Sequence, residues 1–118
     1  MSGWYARAVL HVADVARSLD FYVGRLGFAE TWRHQDDGRP LAAQVDREGC
    51  ELILSGQWPE GRGHGLIFVS LTSEDLAAAQ AELAAKGVAM QEGWWGYKLT
   101  IVEDPDGNRL FFPHAGTE

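Results

Sequence analysis

The sequence predicts an α+β fold built from two βαβββ modules. Three observations predict it. One order of elements (a strand, a capped helix, a glycine, then three strands) occurs twice in 118 residues. The triplets Leu26-Gly27-Phe28 and Lys86-Gly87-Val88 that end the two helices stand about 60 residues apart, half the chain, as a duplicated unit requires. The candidate strands are short and bounded by Gly, Asp and Pro turns, which suits hairpins. Residues 1–118 read as one domain, with module one over about 4–56 and module two over about 64–115, flanking a small-molecule cleft.

Residues 5–13 read as the first strand. Asp14 offers an N-cap to a helix from Val15 to Arg25, whose apolar positions Leu19, Phe21, Tyr22 and Leu26 recur at helical spacing. Gly27 stops it, as a glycine past a helix end does. Strands follow over 28–34, 41–46 and 50–55, separated by Asp36-Asp37-Gly38-Arg39 and Arg47-Glu48-Gly49, residues that tolerate the positive φ of tight turns. Residues 56–65, glycine-rich with Pro59, form the linker. The second copy runs through a strand over 66–71, a Thr72 or Ser73 cap, an alanine-rich helix to Lys86, and Gly87. Strands over 88–94, 97–103 and 109–114 complete it, the last two joined by the turn Asp104-Pro105-Asp106-Gly107-Asn108.

Composition narrows the function classes. Hydrophobic residues at 46% and charged residues at 23% are an ordinary globular balance. A net charge of −7 repels nucleic acid; it reads either as simple solubility or as an attraction for a cationic small molecule. No apolar run reaches the length of about 20 residues that spans a bilayer, and the N-terminus lacks a basic-then-apolar leader pattern. The lone Cys50 has no disulfide partner and reads as a small buried apolar residue. A reducing cytoplasm is the expected location.

Asp14-Val15-Ala16-Arg17-Ser18-Leu19-Asp20-Phe21-Tyr22 followed by Leu26-Gly27-Phe28 resembles the first helix of the vicinal-oxygen-chelate superfamily. That superfamily includes glyoxalase I, extradiol dioxygenases, fosfomycin-resistance thiol transferases and bleomycin-resistance proteins. Glu103-Asp104-Pro105-Asp106-Gly107-Asn108 resembles the hairpin before its last strand. The resemblance covers nearly the whole chain and implies that the two βαβββ modules form a curved, half-open barrel of mixed sheet. Both motifs position structure rather than perform chemistry, so they imply a fold that hosts many functions.

The resemblance also implies four inward-facing metal-ligand positions. On this chain they fall at Arg7, Glu51, Leu66 and Phe111. Arginine has no lone pair to donate, and Leu and Phe have no donor atom. Glu51 alone fits, and a dependable site needs about three protein ligands. The expectation is no metal and no cofactor, with Arg7 and Glu51 facing each other as an ion pair on the cleft floor. His11 shares the face of Arg7, since side chains alternate along a strand. A relocated site of His11, Glu51 and His64 is the alternative, while His34 and His114 read as strand-end or surface residues.

Five tryptophans, Trp4, Trp32, Trp58, Trp94 and Trp95, fall at strand ends or in loops. Resemblance to bleomycin-resistance proteins, which carry a similar Trp-Gly element, implies that such aromatics stack planar ligand groups; structural filling of a dimer interface or the barrel mouth is the equal alternative. Phe68 and Phe111 would supply apolar walls. The candidate ligand-binding set is therefore Arg7, His11, Trp32, Glu51, Phe68, Trp94, Trp95 and Phe111. Two function classes follow. The first is a non-enzymatic homodimer sequestering an aromatic or cationic compound, its open sheet edges covered by the partner. The second is a metal-dependent lyase, isomerase or dioxygenase using Glu51 with His11 and His64. Metal-free acid–base catalysis by Glu51 or His11 is a third reading.

Overall fold

The duplicated order read in the sequence is the order of the computed structural model, which describes residues 3–114. The expected domain ends at residues 1, 115 and 118 lie outside that range. Module one comprises β1 (Ala8–His11), α1 (Val15–Gly24), β2 (Ala29–Asp36), β3 (Arg39–Arg47) and β4 (Cys50–Ser55). A 3-10 turn at Pro59–Gly61 lies in the linker. Module two comprises β5 (Leu66–Phe68), α2 (Ser73–Ala85), β6 (Gln91–Trp94), β7 (Lys98–Glu103) and β8 (Arg109–Pro113).

Each module makes one four-stranded sheet, in the orders β1-β4-β3-β2 and β5-β8-β7-β6. First and last strands of a module pair in parallel, and the other pairs are antiparallel. The β2–β3 register shifts between Glu30 and Trp32 and again between His34 and Gln35. No helix among the described residues is long and apolar enough to cross a membrane.

The helices start and stop for the reasons the sequence suggests. Asp14 accepts the Arg17 amide at 3.2 Å and Thr72 accepts the Asp75 amide at 3.1 Å, each satisfying a donor the helix leaves free. Past each helix, Gly27 and Gly87 both take φ of 75°, a conformation that favours glycine. The next amides then turn back: Phe28 donates to the Tyr22 carbonyl and Val88 to the Leu83 carbonyl. Those amides are spent on helix ends, which is why β2 starts at Ala29 and β6 only at Gln91. The first strand is shorter than the expected 5–13, and β5 shorter than 66–71. β5 lies at its sheet's edge, and residues 69–71 leave the ladder to reach the Thr72 cap after a last bond from Val69 to Phe111.

One core cluster includes residues of both modules, among them Leu10, Val12, Leu19, Tyr22, Val45 and Leu54 from the first and Leu83, Val88, Val102 and Leu110 from the second. A polar clasp at the 104–108 turn joins the modules. The Asn108 carboxamide accepts the Gly65 amide at 2.8 Å and donates to the His11 carbonyl at 3.1 Å. Asp104 accepts from Tyr22 Oη at 3.0 Å, from Asn108 Nδ2, and from the amides of Asp106 and Asn108. Asp106 Oδ1 accepts the Ala13 amide at 3.1 Å and Arg17 Nη2 at 2.9 Å. Burial first and the Asp104 carboxylate second push the Tyr22 phenol far up, so it remains a donor at any ordinary pH. A second bridge joins Arg47 to Glu82 at 3.0 Å and to the Leu26 carbonyl.

Asn108→Ala would orphan the Gly65 amide and the His11 carbonyl. The expected loss is about 2–4 kcal/mol, read by urea denaturation; a loss near zero would show the clasp to be incidental. Gly27→Ala combines a left-handed φ with a Cβ 2.8 Å from Glu82 Oε2, and a cost of about 1–2 kcal/mol is expected in the same assay.

Candidate functional site

Strand alternation sorts the side chains of the first sheet. Leu10, Val45, Leu52 and Leu54 enter the core. The opposite face carries Val9 and His11 of β1, Glu51 and Ile53 of β4, Gln44 and Asp46 of β3, and Trp32 of β2. Ala8 pairs with Leu52, so Arg7 comes beside Glu51 as expected.

The expected direct ion pair is replaced by a relay through Gln44. Arg7 Nη1 donates to Gln44 Oε1 at 2.9 Å. Gln44 Nε2 in turn donates to Asp46 Oδ1 at 3.0 Å and Glu51 Oε1 at 3.2 Å. Asp46 and Glu51 are cross-strand partners, so one carboxamide serves two neighbouring carboxylates. Sequence reasoning missed Gln44 and Asp46. Their alternation along β3 was visible, but their place opposite Glu51 depends on the β3–β4 register.

His11 and Glu51 do not meet. His11 stands opposite Ser55, four residues beyond Glu51 and so about 13 Å along the strand. His11 instead meets Trp58 edge to face, with centroids 5.0 Å apart, and its buried Nδ1 has no hydrogen-bond partner. Trp58 can fold back there because Gly61 lies beneath it: a Cβ at Gly61 would stand 2.3 Å from the indole. His64 is exposed in the loop before β5. The relocated trio His11, Glu51 and His64 is thus not brought together. Among the described residues, no group of three or more His, Cys, Asp or Glu is placed to hold a metal ion. The four family positions, Arg7, Glu51, Leu66 and Phe111, present one donor group and do not fit a divalent cation.

The second sheet is different. Phe68 and Phe111 are register partners. Trp95 packs on both, with centroids at 5.0 Å and 5.8 Å, and the two phenyl rings stand 5.6 Å apart. Phe111 is buried, whereas Phe68 is 43% and Trp95 52% exposed, so the cluster presents open aromatic surface. Trp94 is not part of it: it is 73% exposed and paired with Lys98 at the end of the edge strand β6. Trp32 stacks on His34 with rings inclined by 13° and centroids 6.5 Å apart. His114 is not free, since its Nε2 lies 2.8 Å from Thr100 Oγ1. Cys50 is half-buried, and burial first and Asp46 second push its thiol up, which disfavours the reactive thiolate.

The site residues therefore form two patches on separate sheets: a hydrogen-bonded polar floor on the first and an aromatic cluster on the second. Two βαβββ modules, each with its own four-stranded sheet, define the fold class. A sequence profile of the Glyoxalase/Bleomycin resistance protein/Dioxygenase superfamily matches residues 4–112, and the chain belongs to that superfamily. No curated protein matches. Solved structures give the same fold. A glyoxalase/bleomycin resistance protein from Catenulispora acidiphila is similar at 23% identity and TM-score 0.77, over 96% of this chain and 99% of that one. The bleomycin-binding protein of Streptomyces verticillus, solved with copper(II)-bleomycin, is similar at 24% identity and TM-score 0.73, over 98% of each chain. An antibiotic-binding protein from Streptomyces sp. CB03234 is similar at 21% identity and TM-score 0.69, over 97% and 98%.

Gln44→Leu would leave Asp46 and Glu51 adjacent without their shared donor. The expected cost is about 1–2 kcal/mol, read by urea denaturation. A cost near zero would sink the relay.

Proposed function

We propose that the protein binds a small planar aromatic compound bearing a cationic group, without metal, and sequesters it rather than transforms it. The observation that carries this reading is the open Phe68–Trp95–Phe111 cluster, in which Phe111 occupies a position where the superfamily's enzymes keep a metal donor. Aromatic faces supply large contact area and attract cations. Asp46 and Glu51 face a single guanidinium, that of Arg7, through Gln44, which favours a positive ligand group. Arg7, His11, Trp32 and Glu51 would line the polar side, with Trp94 at the rim. Antibiotic binding by the Streptomyces relatives supports an antibiotic-like ligand and a role in resistance. The whole chain would act as one domain in a reducing cytoplasm, consistent with its single unpaired Cys50.

The protein would work as a homodimer. β1, β2, β5 and β6 are edge strands, and the concave faces expose Val9, Trp32, Leu66 and Phe68, surface that a second copy would cover. Size-exclusion chromatography with light scattering should give twice the 13.0 kDa chain mass; a monomer at all concentrations would remove this part.

Calorimetric titration with a metal-free bleomycin-type glycopeptide tests the ligand reading. Phe111→Ala and Trp95→Ala should each weaken binding by about tenfold or more, near 1.4 kcal/mol, with added divalent metal leaving the dissociation constant unchanged. Unaltered affinity in both variants would sink the aromatic site. Product formed from a glutathione hemithioacetal or a catechol would overturn sequestration.

A further inference from the structure

A crevice of about 560 Å³ lies between α2 and the β3–β4 turn, a volume within the range of roughly 300–1,000 Å³ typical of small-molecule sites. Its inner wall is apolar: Leu26 and Phe28 from module one, Leu83 from α2, and Leu110 and Phe112 from β8. Leu110 and Phe112 alternate with Phe111 along β8 and so line the opposite face of that strand. Phe68, at the end of the edge strand β5, borders both regions. The outer wall is open because α2 presents Ala78 and Ala79 there; longer side chains would fill the space.

The charges around the crevice are unbalanced. Arg47, the basic residue of the lining, is committed to Glu82 and to the Leu26 carbonyl. Glu48 and Asp75 also line the crevice, both exposed. Neither has an ion-pair partner among the described residues. An apolar cavity whose cation is already neutralised and whose mouth carries free carboxylates suits an apolar body with an ammonium group, and disfavours the same body with a carboxylate.

We propose that this crevice is a second binding site, separate from the Phe68–Trp95–Phe111 cluster, that takes a small aromatic amine: ring against Phe28, Leu83 and Phe112, ammonium between Glu48 and Asp75. It stands whether or not the concave faces bind a ligand. Cys50, half-buried in the lining, is a built-in reporter of occupancy.

The test compares 1-naphthylmethylamine with 1-naphthoic acid, which share a ring system and differ in charge, on the full chain by nuclear magnetic resonance titration. The amine should shift the amides of Gly49, Cys50, Ala78 and Ala79 and slow iodoacetamide alkylation of Cys50, and the acid should bind about tenfold more weakly or worse. Ala78→Trp, at an exposed helical position, should abolish both effects with helix content unchanged. The double variant Glu48→Gln with Asp75→Asn should lose the preference for the amine over the acid. Amine shifts confined to the residues around Trp95, or wild-type binding by Ala78→Trp, would each overturn the site.

Discussion

The arrangement of the two modules depends on buried hydrogen-bonding groups of the second module that also reach partners in the first. The 104–108 hairpin buries Asp104 and Asn108, and buried polar groups left unpaired cost about 1–3 kcal/mol each. Part of their bonding is internal to the hairpin, and the rest goes to Tyr22, the Gly65 amide and the His11 carbonyl. The hairpin is thus satisfied only when α1 and the end of β1 lie against it. The hydrophobic core is non-directional and would tolerate small rotations of one module on the other. The clasp would not, because each of its bonds has a preferred length and angle. It therefore fixes where β1 ends relative to β5, and with that the placement of both patches.

Duplication supplies the frame, and side-chain divergence has given the two sheets different surfaces. Corresponding faces carry Arg7, Gln44, Asp46 and Glu51 on one sheet and Leu66, Phe68 and Phe111 on the other. One is a polar floor held by a carboxamide, the other an aromatic wall held by ring packing. Neither needs a metal to be ordered: Gln44 orders the first and Trp95 the second.

The fold was legible because its signals are local. Asp14 and Thr72 as caps, Gly27 and Gly87 as stops, and Asp104 to Asn108 as a turn each act within a few residues. What misled was whatever depended on partners distant in sequence. Val88 belongs to a helix end rather than a strand because its amide meets Leu83. Residues 69–71 leave the sheet at its edge. Glu51 lies on β4 and Arg7 directly before β1, but the residue between them, Gln44, follows from the β3–β4 register, which periodicity alone does not give. Trp94 and Trp95 look equivalent in sequence; the turn at Gly96 sends only Trp95 onto Phe68 and Phe111. The shared metal position of His11, Glu51 and His64 failed on distance, since two residues on one face of adjacent strands can still be several pleats apart.

The strand β2 has a consequence for how copies of this chain can associate. Its outer edge belongs to a long, fully exposed strand, the kind of template on which chains stack into open-ended fibres. Its two register breaks, at Glu30/Trp32 and His34/Gln35, interrupt the row of amides and carbonyls that an added strand would need, and bend the edge away from flatness. Continuous sheet extension is hindered at that side.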